Sequence, residues 1–66
     1  QNLFRMVRMG QEAWGREDYP RAEQLYRRLL EISPNWMMAR NNLGYIATAQ
    51  GRFAEAEEHF AQCSVG

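Results

Sequence analysis

A chain of 66 residues allows one domain, and a fold of about this size buries only about 60% of the surface that its unfolded chain exposes. Eight arginines balance eight acidic residues, so no net field draws in nucleic acid or an anionic membrane, and the 45% apolar and 24% charged fractions exclude disorder. A single cysteine, Cys63, excludes an internal disulfide, and with a single histidine, His59, it cannot supply the ligand set of a zinc site.

The first stretch, "LFRMVRMGQEAWG", places Met6, Met9 and Ala13, with Val7 and Trp14, at the three- and four-residue spacing of a helix buried on more than one side. "REDYP" then interrupts it. Asp18 suits an N-cap and Pro20 a first helical turn, which predicts a second helix over 19–32 with Ala22, Leu25, Tyr26, Leu29 and Leu30 as its apolar stripe. "SPN" ends that helix, because Pro34 disfavours helical geometry at Ser33, and Asn35 is expected to cap the next helix. This third helix is predicted over 36–50, carrying Leu43, Ile46 and Ala47, with Gly51 closing it. The fourth, over 53–64, carries Phe53, Ala56, Phe60 and Cys63. Short links make consecutive helices antiparallel neighbours.

A shift of 34 residues aligns the chain with itself: Gly10 falls on Gly44, Ala13 on Ala47, Ala22 on Ala56 and Glu23 on Glu57. Met9 falls on Leu43, Tyr19 on Phe53 and Tyr26 on Phe60. A fixed period of this size denotes stacked supersecondary units. It also accounts for glycine inside two helices, where it costs about 1 kcal/mol against alanine. Gly10 and Gly44 in the first helix of each unit, with Ala22 and Ala56 in the second, are small enough to let two helix backbones approach and to admit bulky neighbours such as Tyr26 and Phe60. On the outer faces, Arg8, Glu12 and Arg16 are four apart, as are Glu23, Arg27 and Glu31, and ladders of this kind contribute a few tenths of a kcal/mol per pair. Glu55, Glu57 and Glu58 suit the start of the fourth helix, where the helix dipole favours negative charge.

These residues resemble the tetratricopeptide repeat, whose 34-residue pattern runs W-x2-L-G-x2-Y, then A-x3-F, then P. The match is Met9-Gly10, Ala22, Tyr26 and Pro34 in the first unit, and Leu43-Gly44, Ala56 and Phe60 in the second. It departs at the pattern's tryptophan (Met6, Arg40) and tyrosine (Ala13, Ala47), and the second closing proline would lie beyond Gly66. The resemblance implies an all-α fold of two tandem helix-turn-helix hairpins, four antiparallel helices forming a right-handed superhelical α-solenoid segment. Repeat 1 is expected over 3–36 and repeat 2 over 37–66, truncated and without a capping helix.

No catalytic constellation or phosphate-cradling glycine loop is present in the sequence, so an enzyme is not expected, and the resemblance implies no cofactor. His59 reads as a structural residue and Cys63 as a small core-type one. What the resemblance does imply is a protein-interaction scaffold, in which the first helices of successive repeats line a groove for another protein's peptide or helix. The groove side carries Phe4, Val7, Arg8, Gln11 and Trp14 from the first unit, and Met38, Asn41, Asn42, Tyr45 and Thr48 from the second. Phe4, Trp14 and Tyr45 could instead fill gaps between units. Repeats that clamp the carboxylate tails of heat-shock chaperones use a lysine and an asparagine four apart, then a second-repeat asparagine. Asn42 matches the last, but Val7 and Gln11 take the first two places, so such a clamp is not expected.

The alternative is self-association. Each repeat leaves an apolar face for the next, so Ile46, Ala49, Phe60 and Cys63 are expected to be exposed after the last helix, and Leu3, Phe4 and Met6 before the first. A homodimer is the expected state of this two-repeat piece. The chain begins at Gln1 without methionine, so a longer parent is expected. With no run approaching the roughly 20 apolar residues of a membrane span and no signal-peptide pattern, a cytoplasmic location is the expectation.

Overall fold

The computed structural model describes residues 2–64 and shows four helices: α1 (Leu3–Gly15), α2 (Tyr19–Ile32), α3 (Met37–Ala49) and α4 (Phe53–Ser64). No strand occurs among the described residues. Each helix packs against the next in chain order, so α1 with α2 and α3 with α4 make two hairpins, joined where α3 lies on α2. Positions 65 and 66 of the expected second repeat lie outside the described residues.

The helix starts are set in different ways. Asn2, which sequence patterning did not single out, caps α1 by accepting a hydrogen bond from the Arg5 backbone N–H at 3.1 Å. Asp18 holds the N-cap position of α2 as expected, but its side chain makes no capping bond, and Pro20 pre-sets the first turn. Asn35 does not cap α3. The N-cap is Trp36, whose N–H donates to the Ser33 carbonyl at 3.1 Å and whose carbonyl accepts from the Arg40 N–H at 3.3 Å. The Trp36 ring is half-buried against the core, so burial of an indole fixes the start of this helix where a polar cap was expected.

Both hairpins turn with the same backbone motif. The Asp18 N–H reaches back to the Ala13 carbonyl, and the Arg52 N–H to the Ala47 carbonyl, each at 2.8 Å, closing the final turns of α1 and α3. The residue before each donor has a left-handed conformation: Gly51 at φ 79° and Glu17 at φ 61°. Glycine meets that requirement without strain, whereas a side chain there costs about 1–2 kcal/mol.

Ala13, Ala22, Tyr26, Leu29, Ala39, Leu43 and Ile46 form the core cluster, with Leu3, Met6, Val7, Tyr19, Leu30, Trp36 and Met38 half-buried against it. Ile46 is therefore not part of an exposed end face. It is only 1% exposed, because α3 turns this residue inward with Ala39 and Leu43. The glycines do admit the aromatic rings: a Cβ on Gly10 would stand 2.9 Å from Tyr26 Cζ, and one on Gly44 would stand 2.6 Å from Phe60 Cε1. Of the two expected charge ladders, Glu23 pairs with Arg27 at 2.7 Å, but Glu31 pairs with Arg28 at 3.2 Å. Arg8, Glu12 and Arg16 make no ion pair among the described residues.

These contacts give two expectations for thermal unfolding. Gly10→Ala gains about 1 kcal/mol in helix propensity but overpacks Tyr26, which costs about 1–3 kcal/mol, so its midpoint falls. Gly15→Ala has no atom within 4 Å to clash with and serves as the control that rises or stays level. Glu17→Gly removes the left-handed strain at the cost of glycine's extra chain entropy, about 0.5–1 kcal/mol, and raises the midpoint by the remaining ~0.5–1 kcal/mol.

Candidate partner-binding surface

The residues expected on the groove side divide by what the fold leaves available. Phe4 is 85% exposed at the start of α1, and Tyr45 is 50% exposed on α3 with its ring edge against Phe60, centroids 5.3 Å apart. Trp14, also exposed, rests edge-on against Tyr19 at 5.4 Å, a contact inside the first hairpin and not between the two. Val7 and Met38 are half-buried against the same core cluster, one from each hairpin. Phe4, Val7, Arg8 and Gln11 share an open depression along α1, together with Arg5 and Glu12.

Two of the polar groups are already used. Asn42 Nδ2 donates to the Met38 carbonyl at 2.8 Å and lies 3.0 Å from Met38 Sδ, and the Thr48 hydroxyl donates to the Gly44 carbonyl at 2.9 Å. Asn42 thus keeps its amide oxygen as an acceptor and cannot read a peptide backbone in both directions. Gln11 and Asn41 make no side-chain hydrogen bond among the described residues, which leaves both amides with donors and acceptors to offer. The Arg8 guanidinium stands beside Gln11 in the α1 depression with its charge unpaired by any described residue.

The four residues expected to be exposed on a self-association face differ in exposure. Ile46 is in the core, Ala49 is exposed, and Phe60 and Cys63 are half-buried. Cys63 Sγ points back toward the start of α3, 3.7 Å from the Met37 carbonyl.

Sequence reading did not nominate a second concavity between α2 and α4, lined by Arg27, Leu30, Glu31, Leu43, Glu55, Glu58, His59 and Gln62. Its signal lay in the repeat register, which puts His59 where the first unit has the apolar Leu25. The Nδ1 atom of His59 is buried with no hydrogen-bond partner. Burial holds the imidazole below the ordinary histidine pKa; Arg40 and Arg27 push the same way, while Glu55 and Glu58 oppose. No group of His, Cys, Asp or Glu among the described residues could hold a metal ion.

Paired antiparallel helices repeating every 34 residues, with glycine opposite an aromatic ring in each pair, define a helical-repeat protein. The tetratricopeptide repeat profile matches residues 7–62, and the chain belongs to that family, whose members generally act as non-catalytic protein-interaction modules. No curated protein and no solved structure matches the chain at significant similarity. Among the described residues no helix is long and apolar enough to cross a membrane.

The sign of the His59 effect follows from its lowered pKa. Its stabilising neutral form is fully present above the unfolded-state value near ~6.5 and is lost as pH falls through that value toward the folded one. The unfolding midpoint is therefore expected to drop as the pH falls below about 6.5. His59→Leu, which restores the first unit's residue type, flattens this part of the profile. Melting curves of both proteins across that range check it.

Proposed function

We propose that the chain binds a segment of another protein along the α1 and α3 faces, as an extended peptide or a short helix. The observation that carries this reading is the pairing of exposed aromatic surface, Phe4 and Tyr45, with the unbonded amides of Gln11 and Asn41. Aromatic rings provide contact area at small entropic cost, and a carboxamide satisfies both a backbone N–H and a backbone C=O. Arg8 is the single charge among the ten groove residues, so the favoured ligand is apolar and backbone-read, with at most one acidic contact.

Self-association is the second reading. Its specific support is the exposure of Ala49 and of Phe53, which is 64% exposed, but the burial of Ile46 removes the largest aliphatic residue from the face that was to carry it.

Selection from a random peptide library against the intact chain tests the first reading. Enriched peptides are expected to share apolar positions, and to shift the backbone resonances of Val7, Gln11, Asn41 and Tyr45 before those of α2 or α4. Phe4→Ala and Asn41→Ala each weaken such a peptide about tenfold, about 1.4 kcal/mol, while helix content is unchanged. Peptides that bind both variants as tightly as the parent would show that the groove is elsewhere.

A further inference from the structure

The cavity between α2 and α4 lies outside the proposed groove, and the repeat register offers an internal control for it. The α4 residues that line it are Glu55, Glu58, His59 and Gln62, and the 34-residue shift places Arg21, Gln24, Leu25 and Arg28 at the same positions of α2. Arg21 and Arg28 give α2 two positive charges there, whereas Glu55 and Glu58 give α4 two negative ones. Glu55 answers Arg27 and Arg52. Glu58 answers nothing: it is exposed and makes no ion pair among the described residues.

The cavity measures about 450 Å³, within the ~300–1,000 Å³ usual for ligand sites. Leu30 and Leu43 give it an apolar wall. Arg27, the one cation among the described residues that line it, is already held by Glu23 at 2.7 Å and by Glu55 at 3.8 Å. Arg40, on the neighbouring α3, turns its guanidinium to the Pro34 carbonyl at 3.4 Å. The charge left unspent in the cavity is therefore that of Glu58. Beside it, His59 makes no hydrogen bond among the described residues, and its Nδ1 is buried without a partner, a costly arrangement where the first unit has leucine. Burial keeps this imidazole neutral, so it meets a cation with a lone pair and not with a like charge. The acidic groups among the described residues are not gathered as metal ligands are, which excludes a compact metal ion as the guest.

From these features we propose that the cavity takes the side chain of a lysine or arginine of a partner protein, its aliphatic stem against Leu30 and Leu43 and its charged head at Glu58 and His59. Both side chains join a stem that gains from burial to a head that needs an acceptor, and the cavity supplies a wall for the one and groups for the other. An acidic side chain would face Glu31, Glu55 and Glu58 together. A wholly apolar one would leave Glu58 and His59 unanswered. The site is independent of the groove on α1 and α3, so either reading survives failure of the other.

Three probes separate these contributions: the N-acetyl amides of lysine, arginine and norleucine, the last a lysine-like stem without the charge. Titrated into the intact chain, the lysine or the arginine compound is expected to shift the methyl resonances of Leu30 and Leu43 and the ring resonances of His59 along a saturable curve. Norleucine gives no saturable shift, and the resonances of Val7 and Gln11 stay in place with all three. Whichever cation saturates first identifies the guest as an ammonium or a guanidinium. Glu58→Gln, at an exposed position, leaves helix content unchanged and weakens binding about three- to fivefold. His59→Leu, which keeps the wall apolar, weakens it too. The proposal is overturned if norleucine shifts the same residues at the same concentrations, if neither cation saturates, or if Glu58→Gln binds as tightly as the parent.

Discussion

An aromatic ring lying over a glycine is the contact on which the rest of this fold depends. Tyr26 covers Gly10 and Phe60 covers Gly44, at distances that leave no room for even one more carbon atom. The glycines lower helix propensity by about 1 kcal/mol each, yet they let the two helices of a hairpin approach until the ring is enclosed. In the first hairpin that enclosure is nearly complete, and Tyr26 is buried deeply enough for its phenol to hold its proton beyond the usual pKa. Once α1 and α2 are seated, Ala22, Leu29 and the Tyr26 ring present a single apolar floor, and α3 has a defined place to rest.

Much of this was legible in the sequence, because the signals were redundant. Three of the four helices begin and end where periodicity and punctuation placed them, and the 34-residue shift marked Gly10 and Gly44 as places that admit bulky neighbours such as Tyr26 and Phe60. The left-handed residue of the second hairpin was marked by a glycine, Gly51. Its counterpart Glu17 was not, since nothing in a glutamate announces a positive φ; only comparison of the two turns could have found it.

What the sequence did not disclose involves choices among competing partners. Asn35 is a good cap by type, but burying the Trp36 indole outweighs one capping bond, and the helix starts one residue later. Arg8, Glu12 and Arg16 had ideal spacing for a ladder, yet long exposed side chains gain so little from pairing in water that spacing alone does not bring them together. Ile46 looked like an end-face residue because its helix carries apolar groups on several sides, and only the seating of α3 on α2 decides which of them turn inward. Asn42 was singled out for its chemistry, but its amide is satisfied by the carbonyl one turn back, a local alternative open to asparagine on any helix.

The ion-pair cluster at the junction of the hairpins has a consequence for how the joint responds to salt. Arg27 and Glu23 on α2 meet Arg52 and Glu55 at the start of α4 through two contacts, Arg52 to Glu23 at 3.0 Å and Arg27 to Glu55 at 3.8 Å, each flanked by a pair within its own segment. Each hairpin is held internally by apolar enclosure, which salt leaves largely intact, whereas this clasp lies near the surface, where ions screen it. The joint therefore combines an apolar seat, in which Ala39, Leu43 and Ile46 of α3 are buried against α2, with an exposed clasp, and rising ionic strength weakens the clasp while leaving the seat in place.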